Sequence, residues 1–242
     1  MTELGKPPLS AYIRTKNEAR MIGDVVRAAL QVADEVVIVD SGSTDDTVKI
    51  AENAGARVIA HEWPGNGHQK RFAEEQCRHD WLLDLDADEI ITPELSREIA
   101  AQFESGEPSF HVYRTPMAFV PAVGDAWVGF GGSVRHKLYD RRQFRAPAHA
   151  AWDQFEIPAG TPVGRLNSPI FHYAFTGAEH LMEKLNRNSS VRAREAPLKS
   201  TPMLILRILF ALPFYFLKRY LLDGLFRGGV YGFAFAMMSG YG

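Results

Sequence analysis

Two short apolar segments that each end in aspartate constrain the fold of this chain most strongly. Residues 35–40 read EVVIVD, and residues 81–86 read WLLDLD. Short runs of β-branched and aliphatic residues are typical of strands that are buried on both faces of a parallel sheet. Segments with helical spacing of apolar residues lie between the strand-like runs. The first hundred residues therefore predict the order β-α-β-α-β-α-β.

This order predicts an α/β fold with a Rossmann-like, mostly parallel sheet and helices on both faces. Thr92 and Pro93 have the residue types of an N-cap and a first helical position, so a helix is expected to begin there. Ligands of such sheets bind beyond the carboxyl ends of the strands. Asp40 and Asp86, which end two of the predicted strands, are therefore expected at the same edge of the sheet.

The charge balance and the cysteine content narrow the function classes. The chain has 242 residues with 27 basic and 29 acidic side chains, so its net charge of −2 gives no argument for a nucleic-acid partner. Its single cysteine, Cys77, allows no intrachain disulfide, which fits a reducing compartment. The first residues lack the apolar run of a secretory signal, so the N-terminal part is expected to stay in the cytosol.

The C-terminal segment from Met203 differs from the rest of the chain. Apolar and aromatic residues dominate it and are interrupted by Arg207, Lys218, Arg219, Asp223 and Arg227. Its uncharged stretches, Ile208–Leu217 and Gly228–Gly242, are shorter than the roughly 20 residues that a membrane-spanning helix needs. We expect a helical region that lies in the membrane interface, and a buried pair of core helices is the alternative.

The acidic segment WLLDLDADE, residues 81–89, carries the densest chemical signal. Side chains alternate along an extended chain, so Asp84, Asp86 and Asp88 are expected on one face. Carboxylates this close repel one another unless a cation or a raised pKa relieves them. Mg²⁺ or Mn²⁺ is the natural partner, because each binds carboxylate and phosphate oxygens. Capping of the next helix is the alternative role for the later acids in the run.

The segment VVIVDSGSTDDT, residues 36–47, is the second signal. A strand-terminal Asp40 can accept hydrogen bonds from a base or a ribose hydroxyl, and Ser41, Gly42 and Ser43 allow close approach to a ligand. A strand-turn-helix with good capping would use the same residues. By itself, this motif leaves both interpretations open.

Four segments, in their order and spacing, resemble the N-terminal half of family 2 glycosyltransferases: IRTKNEARMIGDVV, VVIVDSGSTDDTVKIAENAGARV, WPGNGHQKRFAEE and WLLDLDADEIITPEL. The resemblance covers residues 9–100 strongly, and within the family it is to the branch of lipopolysaccharide-core glucosyltransferases. EHLMEKLNRNSS and FLKRYLLDG resemble that branch more loosely. The resemblance implies a GT-A fold, a nucleotide-sugar donor, a divalent metal ion and inversion at the anomeric carbon.

The resemblance also implies site residues. It places on the nucleotide-sugar Thr15, Asn17, Glu18, Asp40, Ser41, Ser43, Gln69, Lys70 and Asp86. Asp86 and Asp88 would form the metal-binding pair, with Asp88 the better direct ligand, and Asp40 would contact the uracil or the ribose. Lys70 would offset the charge of the diphosphate, and a solvated cation on a helix face is the alternative for it.

An inverting transferase needs a general base to deprotonate the acceptor hydroxyl. In relatives of this branch an acidic residue follows a histidine in the segment that here reads PAHAAWDQFEIPAG, residues 147–160. If Trp152 replaces that histidine, Asp153 is the base. If His149 is the equivalent histidine, the acid is missing. We prefer Asp153, with Asp125 of the glycine-rich loop Gly124–Gly132 as the second candidate.

The sequence thus predicts an inverting, metal-dependent transferase that moves a hexose, with glucose as the first choice, from a UDP-sugar to a lipid-linked glycan such as lipopolysaccharide core. It would act at the cytoplasmic face of the inner membrane. We expect a GT-A domain over residues 1–176, with a nucleotide-sugar half at 1–103 and an acceptor half at 104–176, followed by a helical, membrane-associating region at 177–242. The alternatives are a nucleotidyltransferase acting on sugar phosphates and an inactive membrane-bound sugar-binding module.

Overall fold

A computed structural model describes residues 6–174, 177–195 and 200–241. Its strands are β1 (Leu9–Thr15), β2 (Glu35–Asp40), β3 (Arg57–Ala60), β4 (Trp81–Asp86), β5 (Glu89–Ile91), β6 (Val112–Phe119), β7 (Ser133–Asp140), β8 (Gly164–Arg165) and β9 (Ile170–His172). Its helices are α1 (Ile22–Ala29), α2 (Thr47–Asn53), α3 (Asn66–Gln76), α4 (Pro93–Gln102), α5 (Ala178–Glu195), α6 (Thr201–Leu217) and α7 (Gly229–Tyr241). A π-helical turn, Lys218–Leu222, and a 3₁₀ turn, Leu225–Gly228, lie between α6 and α7.

The strands form a mixed sheet in the order β3-β2-β1-β4-β7-β6-β9-β5, and β8 pairs with β6. Strand β1 is parallel to both β2 and β4, and β2 is parallel to β3. Strand β7 runs antiparallel to β4. The predicted α/β class is therefore confirmed. Strands β1 to β4, which are parallel to one another, lie in the N-terminal half of the chain, and the short β8 is parallel to β6.

Helices cover both faces of the parallel strands. On one face, Tyr12 of β1 and Val37 of β2 share a hydrophobic core with Ala73 of α3. On the opposite face, the Trp81 ring of β4 packs edge-on against Phe103, which directly follows α4. This two-sided burial explains why these strands read as continuous apolar runs.

Helix α4 begins where the sequence predicts. Thr92 is its N-cap, with a side-chain oxygen that accepts a hydrogen bond from the Leu95 backbone N–H at 3.2 Å. Pro93 occupies the first turn, where its missing N–H would have no intrahelical partner in any case. The N-cap at Thr92 thus marks where the chain leaves the acidic segment at residues 81–89 and enters α4.

The chain divides into two compact units. The first contains residues up to Met117 together with Val134–Phe171, and the second contains Ala118–Ser133 together with residues from His172 onward. This division differs from the expected domains, because residues 118–133 group with the C-terminal helices. The expected boundary at 176/177 touches residues 175 and 176, which lie outside the described residues.

The second unit has a small aromatic core of its own. Its buried residues are Phe119, Trp127, Leu225 and Ala236. The Gly131 N–H donates a hydrogen bond to the Asp223 carbonyl at 2.8 Å. Gly131 has a φ of +65°, and a Cβ there would lie 2.7 Å from a Leu225 methyl carbon, so the contact requires glycine. The glycine-rich loop is therefore packed against the C-terminal helices.

The C-terminal helices keep much of their apolar surface exposed. Large exposed side chains include Phe210, Phe214, Leu217, Leu222, Phe226 and Val230. The alternative of a fully buried pair of core helices is therefore wrong for these residues. Within the described residues, every helix is too short or too polar to reach across a bilayer.

Candidate active site

Three parallel strands end together at one edge of the sheet. In their register, Thr15 of β1 lies beside Asp40 of β2, and Arg14 of β1 lies beside Asp86 of β4. The expectation that Asp40 and Asp86 lie at the same edge is confirmed. Ligands of parallel sheets bind at this carboxyl edge.

The turn after β2 is organised by the Asp40 carboxylate. Its Oδ2 accepts hydrogen bonds from the backbone N–H groups of Gly42, at 3.0 Å, and Ser43, at 2.8 Å. Its Oδ1 accepts another from the Ser43 hydroxyl. Gly42 has a φ of +83°, in the left-handed region that favours glycine. Asp40 therefore shapes the turn, and its contact with a base or ribose stays a prediction.

The loop after β1 is locked to the loop after β2. The Asn17 N–H donates to the Ser43 hydroxyl oxygen at 2.8 Å, and the Thr44 N–H donates to Asn17 Oδ1 at 2.8 Å. The Glu18 N–H donates to Thr47 Oγ1 at 2.7 Å. The sequence predicted a nucleotide site on these loops. In the structure, these hydrogen bonds fix the two loops to each other, so that together they form one rigid frame.

Thr15 and Gln69 are among the buried residues assigned to the nucleotide-sugar, and they differ in their hydrogen bonds. Thr15 is buried, and its hydroxyl has no hydrogen-bond partner within the described part of the chain. Gln69 is fully buried; its amide donates to Ser41 Oγ at 3.0 Å and to the His61 carbonyl at 3.3 Å. Gln69 therefore braces the loop after β2, whereas the Thr15 hydroxyl keeps its hydrogen-bonding capacity for another group.

Lys70 of α3 is buried in a cluster of acids. Its Nζ lies 2.7 Å from Asp84 Oδ2 and 3.5 Å from Asp153 Oδ2. The alternative of a solvated cation on a helix face is therefore wrong. The second oxygen of Asp84, Oδ1, is buried without a hydrogen-bond partner among the described residues. A contact between Lys70 and a diphosphate stays a prediction.

The Asp153 carboxylate lies between two cations. Its Oδ2 is 3.0 Å from Arg14 Nη2 in addition to the Lys70 contact. Burial alone would raise the pKa of Asp153, but the charges of Lys70 and Arg14 outweigh that effect and lower the pKa below its ordinary value. Asp153 is therefore ionised in this arrangement and is a weak proton acceptor while both ion pairs last.

The segment that carries Asp153 is fixed by close backbone packing against the start of α3. The Gly67 N–H donates to the His149 carbonyl at 2.9 Å. A Cβ at Gly67 would lie 2.2 Å from the Pro147 carbonyl oxygen and 2.3 Å from that of Trp152. The loop carbonyls thus satisfy N–H groups at the helix start that have no intrahelical partner. This packing holds Asp153 directly after the loop.

The Asp86 carboxylate is held at the strand edge by cations from two neighbouring strands. Its Oδ1 lies 3.1 Å from Arg14 Nη2, and its Oδ2 lies 3.7 Å from Nζ of the buried Lys137 on β7. Lys137 also contacts Glu89 Oε2 at 2.6 Å. That same Glu89 oxygen accepts a hydrogen bond from the Asp86 backbone N–H at 2.9 Å. The side chain of Asp86 is 42% exposed, so it faces solvent in a fixed orientation.

Asp88 lies in the tight turn between β4 and β5. The strand ends at Asp86, and residues 87 and 88 form the turn. The expectation of one extended face for Asp84, Asp86 and Asp88 is therefore wrong for Asp88, because Glu89 holds the turn by its bond to the Asp86 N–H.

The acids at this edge fit a metal ion that arrives with a substrate. Within the described residues there is no group of three His, Cys, Asp or Glu side chains that could hold a metal ion alone. Mg²⁺, however, is usually bound by one or two carboxylates together with substrate phosphates. The partly exposed carboxylates of Asp86 and Asp88 supply that kind of incomplete oxygen-ligand set.

Asp125, the second candidate base, belongs to the second unit. It lies in the glycine-rich loop and is exposed to solvent.

A carboxyl sheet edge with two joined loops and the partly exposed Asp86 carboxylate is the place where α/β proteins bind their ligands. The family model for glycosyl transferase family 2 matches residues 10–158, which is more than half of the chain. The chain therefore belongs to glycosyltransferase family 2, and it is a glycosyltransferase. Membership of this family replaces the nucleotidyltransferase alternative.

Similar proteins extend over almost the whole chain. The chain is 30% identical over 259 residues to an uncharacterized glycosyltransferase of Rickettsia bellii, covering 100% of this chain and 85% of that protein. It is also 30% identical over 244 residues to the lipopolysaccharide core biosynthesis glycosyltransferase LpsC of Rhizobium meliloti, covering 96% and 87%. Among solved structures, it is similar in fold to residues 1–349 of S. aureus TarS, with a TM-score of 0.53, 17% identity, and coverage of 96% of this chain and 89% of that one. The predicted GT-A fold and family resemblance are confirmed.

Three residues of the site were missed by reasoning from the sequence: Arg14, Glu89 and Lys137. Arg14 and Lys137 both contact Asp86, and Glu89 holds the Asp86 N–H. One signal was available, because Lys137 is a charged residue inside the strand-like run HKLY. A lysine in such a run is almost never fully buried unless it is paired.

Proposed function

We propose that this glycosyltransferase is inverting and metal-dependent, and that it moves a hexose, with glucose as the first choice, from a UDP-sugar to a lipid-linked glycan such as lipopolysaccharide core. The observation that carries the proposal is the Asp86 carboxylate, held at the strand edge by Arg14 and Lys137 yet open to solvent. The similarity to LpsC, named as a lipopolysaccharide core glycosyltransferase, supports the choice of acceptor.

The donor assignment rests on the frame made by the loops after β1 and β2. Asn17, Ser43 and Thr44 fix the two loops to each other, so a nucleoside bound there would meet pre-organised backbone groups. The Thr15 hydroxyl beside Asp40, which has no hydrogen-bond partner among the described residues, offers a further polar group. A structure of TarS similar in fold to this chain, at a TM-score of 0.52 and 18% identity, is a complex with UDP-GlcNAc, which agrees with a UDP-sugar donor.

Asp86 and Asp88 are the residues that would hold Mg²⁺ or Mn²⁺. A divalent ion at this position supplies positive charge that stabilises the diphosphate leaving group. Arg14 and Lys137 keep the Asp86 carboxylate in place before any ligand arrives, so little reorganisation is needed on binding.

Asp153 is the proposed general base. An inverting reaction needs an acceptor for the hydroxyl proton, and Asp153 follows a loop that is fixed against α3. Its ion pairs with Arg14 and Lys70 must loosen when substrates bind, because they hold its pKa low. Asp125 is the competing base. Of the variants Asp153→Asn and Asp125→Asn, the one that loses turnover identifies the base.

Release of UDP from UDP-glucose, with and without Mn²⁺, tests the proposal and the inactive-module alternative. The wild-type protein should release UDP only with the metal, and faster with de-acylated lipopolysaccharide-core acceptor. Asp88→Asn should abolish this activity. Asp24→Asn is the matched control, because Asp24 is an exposed aspartate on α1. Full activity of Asp88→Asn in excess EDTA would contradict the metal site, and no UDP release by the wild type under any condition would favour an inactive module.

We also propose that the C-terminal helices lie in the cytoplasmic interface of the inner membrane, next to the lipid-linked acceptor. Their exposed apolar residues include Leu222 and Val230, which are 81% and 82% exposed. Lys218 and Arg207 are also exposed on the same segment and could contact anionic headgroups. Exposed apolar surface combined with nearby cations is typical of interfacial helices.

Flotation with anionic vesicles tests the membrane proposal. Serine at Phe214, Leu222 and Val230 should abolish flotation without loss of stability, because all three side chains are already exposed. Serine at Val123, which is 60% exposed and directly precedes the glycine-rich loop, is the control. Substitution is preferable to truncation, because removing the helices would uncover the aromatic core of the second unit. Wild-type protein that stays at the bottom of the gradient would contradict the proposal.

A further inference from the structure

Three exposed arginines lie on the strands that follow β4 in the sheet. Arg114 of β6, Arg135 of β7 and Arg165 of β8 are all exposed. Across the part of the chain that the structure describes, none of the three has a carboxylate within ion-pair distance. Other arginines of the first unit, such as Arg78 and Arg141, contact acidic side chains. The three arginines therefore differ from most of the basic residues around them.

The strand registers bring these arginines to one face. Arg114 is the direct partner of Arg165 in the β6–β8 pair. The Asp140 N–H donates to the His111 carbonyl at 2.8 Å, a pairing that sets Arg114 opposite Lys137. Arg135 lies two residues from Lys137 on the same strand and so shares its face.

Two further observations agree with this placement. Val112 of β6 and Tyr139 of β7 belong to one buried cluster, so they face the same side of the sheet. Arg114 lies two residues from Val112, and Lys137 lies two residues from Tyr139, so both share that side. The pKa of His136 is lowered by burial and then by the charges of Arg114 and Arg135, as expected if both arginines lie near it. The three arginines thus concentrate positive charge on one surface.

The position of this surface relative to Asp86 indicates which substrate it serves. In the sheet order, β4 with Asp86 lies between β1 and β7. The loops proposed for the nucleotide lie on the β1 and β2 side, and the arginines lie on the opposite side, on β7, β6 and β8. Adjacent strands are about 4.8 Å apart, so β6 lies roughly 10 Å from β4. That side lies within the proposed acceptor half of the chain.

We propose that Arg114, Arg135 and Arg165 form a subsite that binds phosphate or carboxylate groups of the acceptor glycan. Guanidinium groups present paired donors that match both kinds of anion. The inference rests on the proposed function, because it identifies the acceptor as an anionic glycan. It adds that charge away from the reacting hydroxyl selects and aligns the acceptor.

Binding of a soluble acceptor tests this subsite directly. The probe is a de-acylated lipopolysaccharide-core oligosaccharide, compared with the same oligosaccharide after its phosphates are removed and its carboxyl groups reduced. Each change of one of these arginines to Gln should raise the calorimetric Kd of the anionic probe about fivefold, the upper range for an exposed charge pair. The triple variant should lose roughly a hundredfold if the three contacts are independent.

Matched controls separate this subsite from the donor site and from net charge. Arg97→Gln removes one exposed cation from α4 and should leave the Kd unchanged. The affinity for UDP-glucose with Mn²⁺ should also be unchanged in all three variants. The neutral probe should bind more weakly than the anionic one and be insensitive to the substitutions. Higher salt should reduce the difference between wild type and variants.

Three outcomes would overturn the subsite. Equal losses in Arg97→Gln would show an effect of net charge, and weaker UDP-glucose binding in the variants would assign the arginines to the donor diphosphate. Loss of binding to anionic vesicles with unchanged oligosaccharide binding would assign them to the membrane. Because binding is measured without turnover, a wild-type protein that binds the probe but never releases UDP would contradict the proposed function and leave the subsite supported.

Discussion

Replacing Lys137 by methionine should destabilise the protein by about 3 kcal/mol and loosen the Asp86 site. Lys137 is buried and its Nζ lies 2.6 Å from the buried Glu89 carboxylate. Breaking a buried ion pair by removing one partner costs about 3–5 kcal/mol. We expect the lower end, because Glu89 keeps its hydrogen bond from the Asp86 N–H. Methionine keeps most of the volume, so the change removes charge without opening a large cavity.

A double-mutant cycle measures the coupling between Lys137 and Glu89. Glu89→Gln should also destabilise the protein, since it leaves a buried ammonium without its closest carboxylate. The double variant Lys137→Met with Glu89→Gln should lose clearly less than the two single losses combined, because each residue mainly compensates the other. Urea unfolding measures the free energy of unfolding of each variant. Lys137→Arg keeps the positive charge, so it should retain more stability than Lys137→Met if the lost charge is the cause.

Metal-dependent binding of UDP is the second readout of this cycle. Lys137→Met should weaken UDP binding in the presence of Mn²⁺, because Asp86 loses a cation that orients its carboxylate. Without Mn²⁺, the same substitution should have a much smaller effect on UDP binding. A destabilisation below about 1 kcal/mol, or single losses that simply add, would refute the reasoning about the buried pair.

Three further substitutions probe other parts of the first unit. Gly67→Ala should cost at least about 2 kcal/mol of unfolding free energy in chemical denaturation, since its Cβ would lie 2.2 Å from the Pro147 carbonyl oxygen; an unchanged midpoint would contradict the close packing. Asp40→Asn should weaken UDP binding by about 1.5–3 kcal/mol in calorimetry, and equal affinity would reject that contact. The pKa of Glu35 is lowered, because hydrogen bonds and nearby arginines outweigh burial, so its stabilisation is present above the unfolded pKa of about 4.3 and is lost as pH falls through the folded pKa. Glu35→Gln should therefore be less stable than wild type at pH 7, with a gap that narrows below about pH 4; a gap independent of pH would contradict this assignment.

The sequence was most informative where local chemistry decides the structure. The strand at 81–86, the cap at Thr92 and the common edge of Asp40 and Asp86 were all predicted from residue types and from periodicity. Burial on both faces, helix capping and strand direction depend on neighbouring residues, which a single sequence contains.

Contacts between distant segments were not predictable. Lys137 reaches Asp86 because β7 pairs antiparallel with β4, and no local pattern specifies that pairing. The burial of Lys70 depends on where Asp84 and Asp153 lie around α3. Asp88 left the strand because Glu89 binds the Asp86 N–H and closes a turn, which strict alternation does not anticipate.

The contact between the glycine-rich loop and the C-terminal helices couples two segments that are far apart in the chain. A Cβ at Gly131 of the loop would lie 2.7 Å from a Leu225 methyl carbon, and one at Gly228 would lie 2.9 Å from the Trp127 ring of the loop. A larger side chain in either segment would clash with the other segment. Substitutions that enlarge a side chain in one segment should therefore occur together with compensating substitutions in the other. A shortened variant would need polar replacements at Phe119 and Trp127 to remain soluble. The loop and the helices should therefore be inherited, exchanged or lost together as a single module.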